Sequence, residues 1–168
     1  IDSGADHADL TDEYAAIPTE MREVAAFFGK EVLRQIPADT FYSALPELRG
    51  KVPDRAILRA IHIYQENSRV LKQAEALKSG NMDAFLQLVK ESGRSSWMYL
   101  QNISPTGAVE HQEVAVALAL CDVLLQGRGA YRVHGGGFAG TVQAFVPFDM
   151  LDAFISGIDA VLGADKCH

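Results

Sequence analysis

The stretch RVHGGGFAGTVQAFVP, residues 132–147, sets four glycines within six residues between two runs that lean toward β structure. Alternation of Val142, Ala144 and Val146 on one face predicts a strand after the glycines, and AYRV predicts another before them. Gly135, Gly137 and Gly140 satisfy the spacing G-x-G-x-x-G. A dinucleotide site, however, needs a helix after the glycines so that its N-terminus faces the pyrophosphate, and a strand-forming segment stands there instead. A Walker-type phosphate loop needs Lys-Ser or Lys-Thr after its last glycine, and neither follows. Two readings stay open. The glycines can supply positive φ angles to a tight β-connection, or they can bare the backbone so that another chain segment, a ligand or an anion approaches it. Four glycines are more than a two-residue hairpin turn requires. His134 beside them is a candidate ligand contact or a surface histidine.

Outward from this stretch the apolar spacing becomes helical. Residues 109–127 predict a strongly apolar, central helix closed by Gly127, and residues 148–163 a last amphipathic one. Residues 95–108, aromatic and marked by Pro105 and Gly107, read as an irregular loop. Asn81 predicts the cap of a helix that forms an antiparallel hairpin with the longest helix, residues 53–80. On that longest helix Ile57, Ile61, Tyr64, Leu71 and Leu77 predict the apolar face. Residues 9–29 predict a helix in two parts, capped by Asp9 or Thr11, restarted at Pro18 and ended by Gly29. Residues 38–50 predict a shorter helix disturbed by Pro46. The whole predicts an α+β fold: a predominantly helical single domain over residues 1–168 with a small antiparallel sheet. Two strands alone are marginal in water, so further strands are expected beside them.

Composition excludes several functions. A net charge of −7 with scattered lysines and arginines gives no stripe for nucleic acid, although a local anion pocket stays open. No run is long enough to span a membrane and no signal peptide opens the chain, so a cytoplasmic setting is expected. Cys121, within VALALCDVLL, reads as a small buried hydrophobe, and Cys167 has no partner for a disulfide framework. The histidines show no metal-ligand spacing. His62 and Glu66 read as a local pair one helical turn apart, and Trp97 and Tyr99 as packing. Asp6, His7 and Asp9 form a polar opening loop that is a candidate contact for a ligand or another domain. The start without methionine and the abrupt end predict a piece of a larger chain.

The glycine stretch resembles the third motif of the GHMP small-molecule kinases in the form galactokinases use, a strand, Met-Thr-Gly-Gly-Gly-Phe-Gly-Gly and a strand. Gly135, Gly136, Gly137, Phe138 and Gly140 match; Ala139 replaces a glycine and Val133-His134 replaces Met-Thr. RAIHIYQENSRV is similar to the family's Arg-x-x-His-x-x-x-Glu-Asn-x-Arg helix through Arg59, His62, Glu66, Asn67 and Arg69. Residues 76–96 follow the step into Glu-Ser-His-x-Ser, with Gly93 in place of the histidine, and DEYAAI keeps the Glu-Tyr of Ser-Glu-Tyr as Glu13-Tyr14. SWMYLQNI stands where the family has Arg-Asp-Asp-Tyr-Glu, a departure that bears on sugar specificity.

The resemblance implies the C-terminal domain of an enzyme that moves the γ-phosphoryl of Mg-ATP onto the anomeric hydroxyl of galactose. It implies Tyr14 as a sugar contact, and Gly135, Gly136, Gly137, Phe138, Gly140 and His134 as the loop against the nucleotide-phosphate loop of an N-terminal half. The sugar motif, phosphate loop and catalytic aspartate would lie upstream and a completing strand downstream, so no catalytic residue and no ATP or Mg2+ ligand is expected within these residues. The chain alone is expected to be inactive. Two alternatives stand beside this: a non-catalytic sugar- and ATP-sensing relative, and a helical interaction module with a structural glycine turn.

Overall fold

The computed structural model describes residues 1–5 and 10–168, so the Asp6, His7 and Asp9 readings lie outside the described residues. In chain order the helices are α1 (Thr11–Phe27), α2 (Ala38–Ser43), α3 (Leu45–Leu48), α4 (Asp54–Lys78), α5 (Met82–Ser95) and α6 (Glu113–Leu125). The strands β1 (Ala130–His134) and β2 (Thr141–Phe145) follow, and α7 (Leu151–Leu162) comes last. The architecture is the expected one, mostly helical with a small antiparallel sheet.

The strands pair with Ala130 opposite Phe145 and His134 opposite Thr141. Their alternation sets Val133 directly across from Val142, both buried, against Val114, Leu118, Cys121, Phe154 and Ile158 of α6 and α7. The sheet does not end at β2. Ile1 and Val142 exchange two backbone hydrogen bonds of 2.9 Å, Ser3 N–H donates to the Gly140 carbonyl at 2.9 Å, and Asp2 N–H donates to the Lys166 carbonyl at 2.8 Å. Both outer segments thereby cover a hairpin that would be marginal alone. The other edge, β1, lies against α5 at Gly93, where a Cβ would sit 3.0 Å from the Tyr131 carbonyl and 3.1 Å from Arg132 Cβ.

A second apolar cluster, built on Val24, Phe41, Leu48, Ile57 and Ala60, joins α1, α2, α3 and α4. The helices differ from expectation in four ways. α1 crosses Pro18 without a break: the residue is exposed, and the helix forgoes a ladder bond there without ending. Its N-cap is Leu10, without a side-chain cap, and Thr11 is its first residue. Residues 96–100 are not a loop but a π-helical turn continuing α5, stopped by Gln101 in the left-handed region at φ 55°. On α4, Leu71 and Leu77 are 73% and 51% exposed, while Arg59, His62 and Arg69 are buried. The Asn81 cap, by contrast, accepts a hydrogen bond from Ala84 N–H at 3.1 Å, and the α4–α5 hairpin is antiparallel, with His62 beside Ser95 and Glu66 beside Ser92.

Candidate functional site

The loop between β1 and β2 needs its glycines. Gly135, Gly137 and Gly140 have φ of 74°, 81° and 85°, values that L side chains rarely adopt. Phe138 takes φ 60° as well, while Ala139 does not enter that region. His134, Gly135 and Gly136 are exposed, and Gly137, Phe138 and Ala139 are buried. The buried part is wedged between two residues distant in sequence. On one side the Asn102 carbonyl accepts from Phe138 N–H at 2.6 Å, and Asn102 Nδ2 donates to the Gly136 carbonyl at 3.0 Å. On the other, the Tyr14 hydroxyl donates to the Gly137 carbonyl at 2.7 Å, and its ring meets Phe138 edge-on with centroids 5.4 Å apart. A Cβ at Gly136 would stand 2.8 Å from Tyr14 Cε1, and one at Gly137 only 2.0 Å from the Asn102 carbonyl oxygen. The bareness of this backbone is therefore used inside the chain for close approach, and Gly135 and Gly136 keep an exposed surface.

The wedge is itself held by the buried polar face of α4. Arg59, fully buried, donates from Nε to the Leu100 carbonyl at 3.0 Å, which fixes the π-helical turn just before Asn102. Its Nη1 donates to Glu20 Oε2 at 2.9 Å, while Arg55 donates to Glu20 Oε1 through Nε at 2.9 Å and Nη2 at 2.6 Å. Burial pushes the Arg59 guanidinium below its ordinary value, with Glu20 opposing the shift; the hydrogen bond to Glu20 raises Arg55. Glu13, next to Tyr14, accepts from Thr106 N–H at 2.6 Å, so α1 is tied to the segment carrying Asn102 through Glu13 and to the glycine loop through Tyr14. One and two turns further along α4, His62 Nδ1 bonds Ser95 Oγ at 2.9 Å. Glu66 accepts from Ser92 Oγ at 2.5 Å and pairs with Arg69 and, at 3.5 Å, with Arg132 of β1. His62 and Glu66 thus take hydrogen bonds with serines of α5, and Glu66 adds ion pairs with Arg69 and Arg132, in place of a hydrogen bond between the two. Asn67 is exposed.

The structure brings Tyr14 together with Gly136, Gly137 and Phe138, whereas Gly140 meets Ser3, whose Oγ donates to its carbonyl at 2.6 Å. His134 stands at the exposed end of β1 and lines a cleft of about 640 Å3 with Ile1, Thr141, Gln143, Phe154 and Cys167. Burial pushes the Tyr14 hydroxyl above its ordinary value, so it donates as a neutral group. Burial pushes the Cys121 thiol up to about 12, consistent with packing alone. Trp97 is 48% exposed and packs less than its sequence suggests; with Lys90, Arg94, Tyr131 and Arg132 it lines a separate cavity of about 460 Å3. Among the described residues no group of three or more His, Cys, Asp or Glu side chains is arranged to hold a metal ion. No helix among them is long and apolar enough to cross a membrane. Asn102 and the Glu20–Arg59 pair were not singled out by sequence. The one available signal was the pair of amides Gln101 and Asn102 within the otherwise apolar and aromatic run WMYLQNI.

This arrangement of hairpin, glycine loop and helices is a known one. In three dimensions the chain is similar to the galactokinase of Lactococcus lactis, solved in complex with galactose, with a TM-score of 0.75 over 96% of this chain and 40% of that one, at 23% identity. The fold of this chain is therefore one that a galactokinase also contains. In sequence the chain is 30% identical over 153 residues to the galactokinase of Haemophilus influenzae strain PittEE, covering 91% of this chain and 38% of that protein. It is 32% identical over 152 residues to the galactokinase of Actinobacillus pleuropneumoniae, covering 90% and 38%. No family model matches the chain. The chain is thus similar to galactokinases in both sequence and structure, and it spans about 38% of the length of the curated relatives it matches.

Proposed function

We propose that residues 1–168 are the single C-terminal domain of a galactokinase-type sugar 1-kinase. The whole enzyme moves the γ-phosphoryl of Mg-ATP onto the anomeric hydroxyl of galactose in the cytoplasm. An N-terminal half of the same polypeptide brings the phosphate loop and the catalytic aspartate. The observation that carries this reading is the 2.7 Å hydrogen bond from Tyr14 to the Gly137 carbonyl. It makes the candidate sugar contact and the candidate phosphate-side loop one rigid unit, with the exposed backbone of Gly135 and Gly136 turned outward. Phosphoryl transfer asks little covalent chemistry of a protein, so fixed positions and charge stabilisation supply most of the acceleration. Tyr14 lines the sugar pocket, and His134 and the loop from Gly135 to Gly140 lie against the phosphate loop. The sugar assignment draws on the Lactococcus lactis relative, whose structure contains galactose.

The test is ATP-dependent formation of galactose 1-phosphate by the full-length polypeptide that carries this chain. Turnover by that protein and none by residues 1–168 alone is the expected result. Sugar and nucleotide binding without turnover would instead assign a sensor, and turnover by residues 1–168 alone would overturn the division of labour.

A further inference from the structure

We infer that Asn102 is a positioning residue for phosphoryl transfer, one that sets the orientation of two successive peptide groups in the glycine loop. The inference rests on the reading of that loop as part of a sugar-kinase site. In a trans peptide the C=O and N–H of one amide point in opposite directions. The Gly136–Gly137 amide directs its carbonyl to Asn102 Nδ2 at 3.0 Å, so the Gly137 N–H points away from Asn102. The next amide is reversed: Phe138 N–H faces the Asn102 carbonyl at 2.6 Å, and the Gly137 carbonyl faces the Tyr14 hydroxyl at 2.7 Å. Both planes are therefore fixed, and Asn102 touches both, one with its side chain and one with its main chain. The N–H of Gly137 is engaged in no hydrogen bond among the described residues.

Three further features separate a brace from ordinary filling. Asn102 is buried, and its Oδ1 has no partner among the described residues. Of the two ends of the amide, only the donor has a partner among the described residues, so the donor is what the side chain contributes to the loop. Turning the amide over would set Oδ1 against the Gly136 carbonyl, which the hydrogen-bond geometry excludes. Asn102 is also held from behind, because Arg59 grips the Leu100 carbonyl and Gln101 turns the chain in the left-handed region.

The test compares Asn102→Ala and Asn102→Asp with wild type in the full-length protein, at a temperature where each is folded by circular dichroism. Asn102→Ala is expected to lower kcat for ATP-dependent galactose phosphorylation by between about ten- and a hundredfold, the effect of a misplaced reacting group. Its ratio to wild type should stay constant with pH. Asn102→Asp should be worse at about pH 8, where the ionised carboxyl repels the Gly136 carbonyl. Its ratio to wild type should climb as pH falls and the buried carboxyl regains a proton to donate. A merely structural role would alter melting temperature in both variants without this divergence of pH profiles in folded enzyme. An active wild type with both variants within about threefold of it, or with parallel pH profiles, overturns the inference and leaves the kinase reading standing. A wild-type protein that transfers no phosphoryl group overturns that reading and the inference together.

Discussion

Helices α4 and α6 both lie deep in the molecule, but α6 buries only apolar side chains, whereas α4 buries a polar row beside its apolar Ile57 and Ala60. α6 turns Val114, Ala117, Leu118, Cys121 and Leu125 inward against the sheet and α7. α4 turns Arg59, His62 and Arg69 inward and leaves Leu71 and Leu77 outside. The placement of α6 follows from removing apolar surface from water, a non-directional term of about 1.5–3 kcal/mol for each large side chain. Along its polar stretch α4 is placed by directional bonds to Glu20, the Leu100 carbonyl, Ser95 and, through Glu66, Arg132. A greasy helix can tolerate small shifts in its neighbours. A helix seated by charge-assisted bonds fixes the register of what it touches, and what α4 touches leads through the π-helical turn to the glycine loop.

That contrast can be broken first at Glu20. Glu20→Ala leaves Arg59 buried without its carboxylate and is expected to destabilise by about 3–5 kcal/mol, read as a shift in urea midpoint. Exchanging Glu20 and Arg59 together for Met and Leu should recover most of the loss, since removing a buried pair is often near neutral. At the apolar end, Leu118→Ala is expected to lose about 2–5 kcal/mol by opening a cavity beneath β1 and β2. That loss should leave the wedged glycine loop in place, whereas Glu20→Ala should loosen it; amide exchange at Phe138, whose N–H donates to the Asn102 carbonyl, distinguishes the two.

A smaller effect is expected at His62. Burial holds its imidazole below the ordinary value; Glu66 opposes the shift, and Arg69 and Arg132 reinforce it. As pH falls below about 6.5 the unfolded chain takes up the proton first, so stability is complete above that value. It declines on acidification until pH passes the lower folded-state value. Denaturant midpoints across this range should show the step in wild type and a flatter profile in His62→Gln, where the side chain cannot titrate. The smallest effect belongs to the outer face of α4: Leu71→Gln should change stability by less than about 0.5 kcal/mol.

These regions also differ in how far the sequence discloses them. The period-two run at residues 141–145 and the apolar run of α6 were legible because hydrophobic alternation depends only on near neighbours. The face of α4 was read correctly at Ile57, Ile61 and Tyr64 but misread at Leu71 and Leu77, which fit the helical spacing, while Arg59 and His62 go inside only by virtue of partners roughly thirty to forty residues away. Residues 96–100 read as a loop because a π-helical turn has no simple apolar period, and its support, the Arg59 bond to Leu100, is long-range. The glycine stretch stood out by its bare backbone, and Tyr14 was singled out through family resemblance. Asn102, which joins them to the rest, carries no local pattern.

Gly137 offers the most direct measurement. Its φ of 81° and the 2.0 Å separation between a would-be Cβ and the Asn102 carbonyl leave no space for a side chain. ATP-dependent galactose phosphorylation by the full-length protein should be present in wild type and lost in Gly137→Val. A valine variant that turns over as fast as wild type, or a wild type with no turnover, would contradict the assignment of this loop to a sugar-kinase active site.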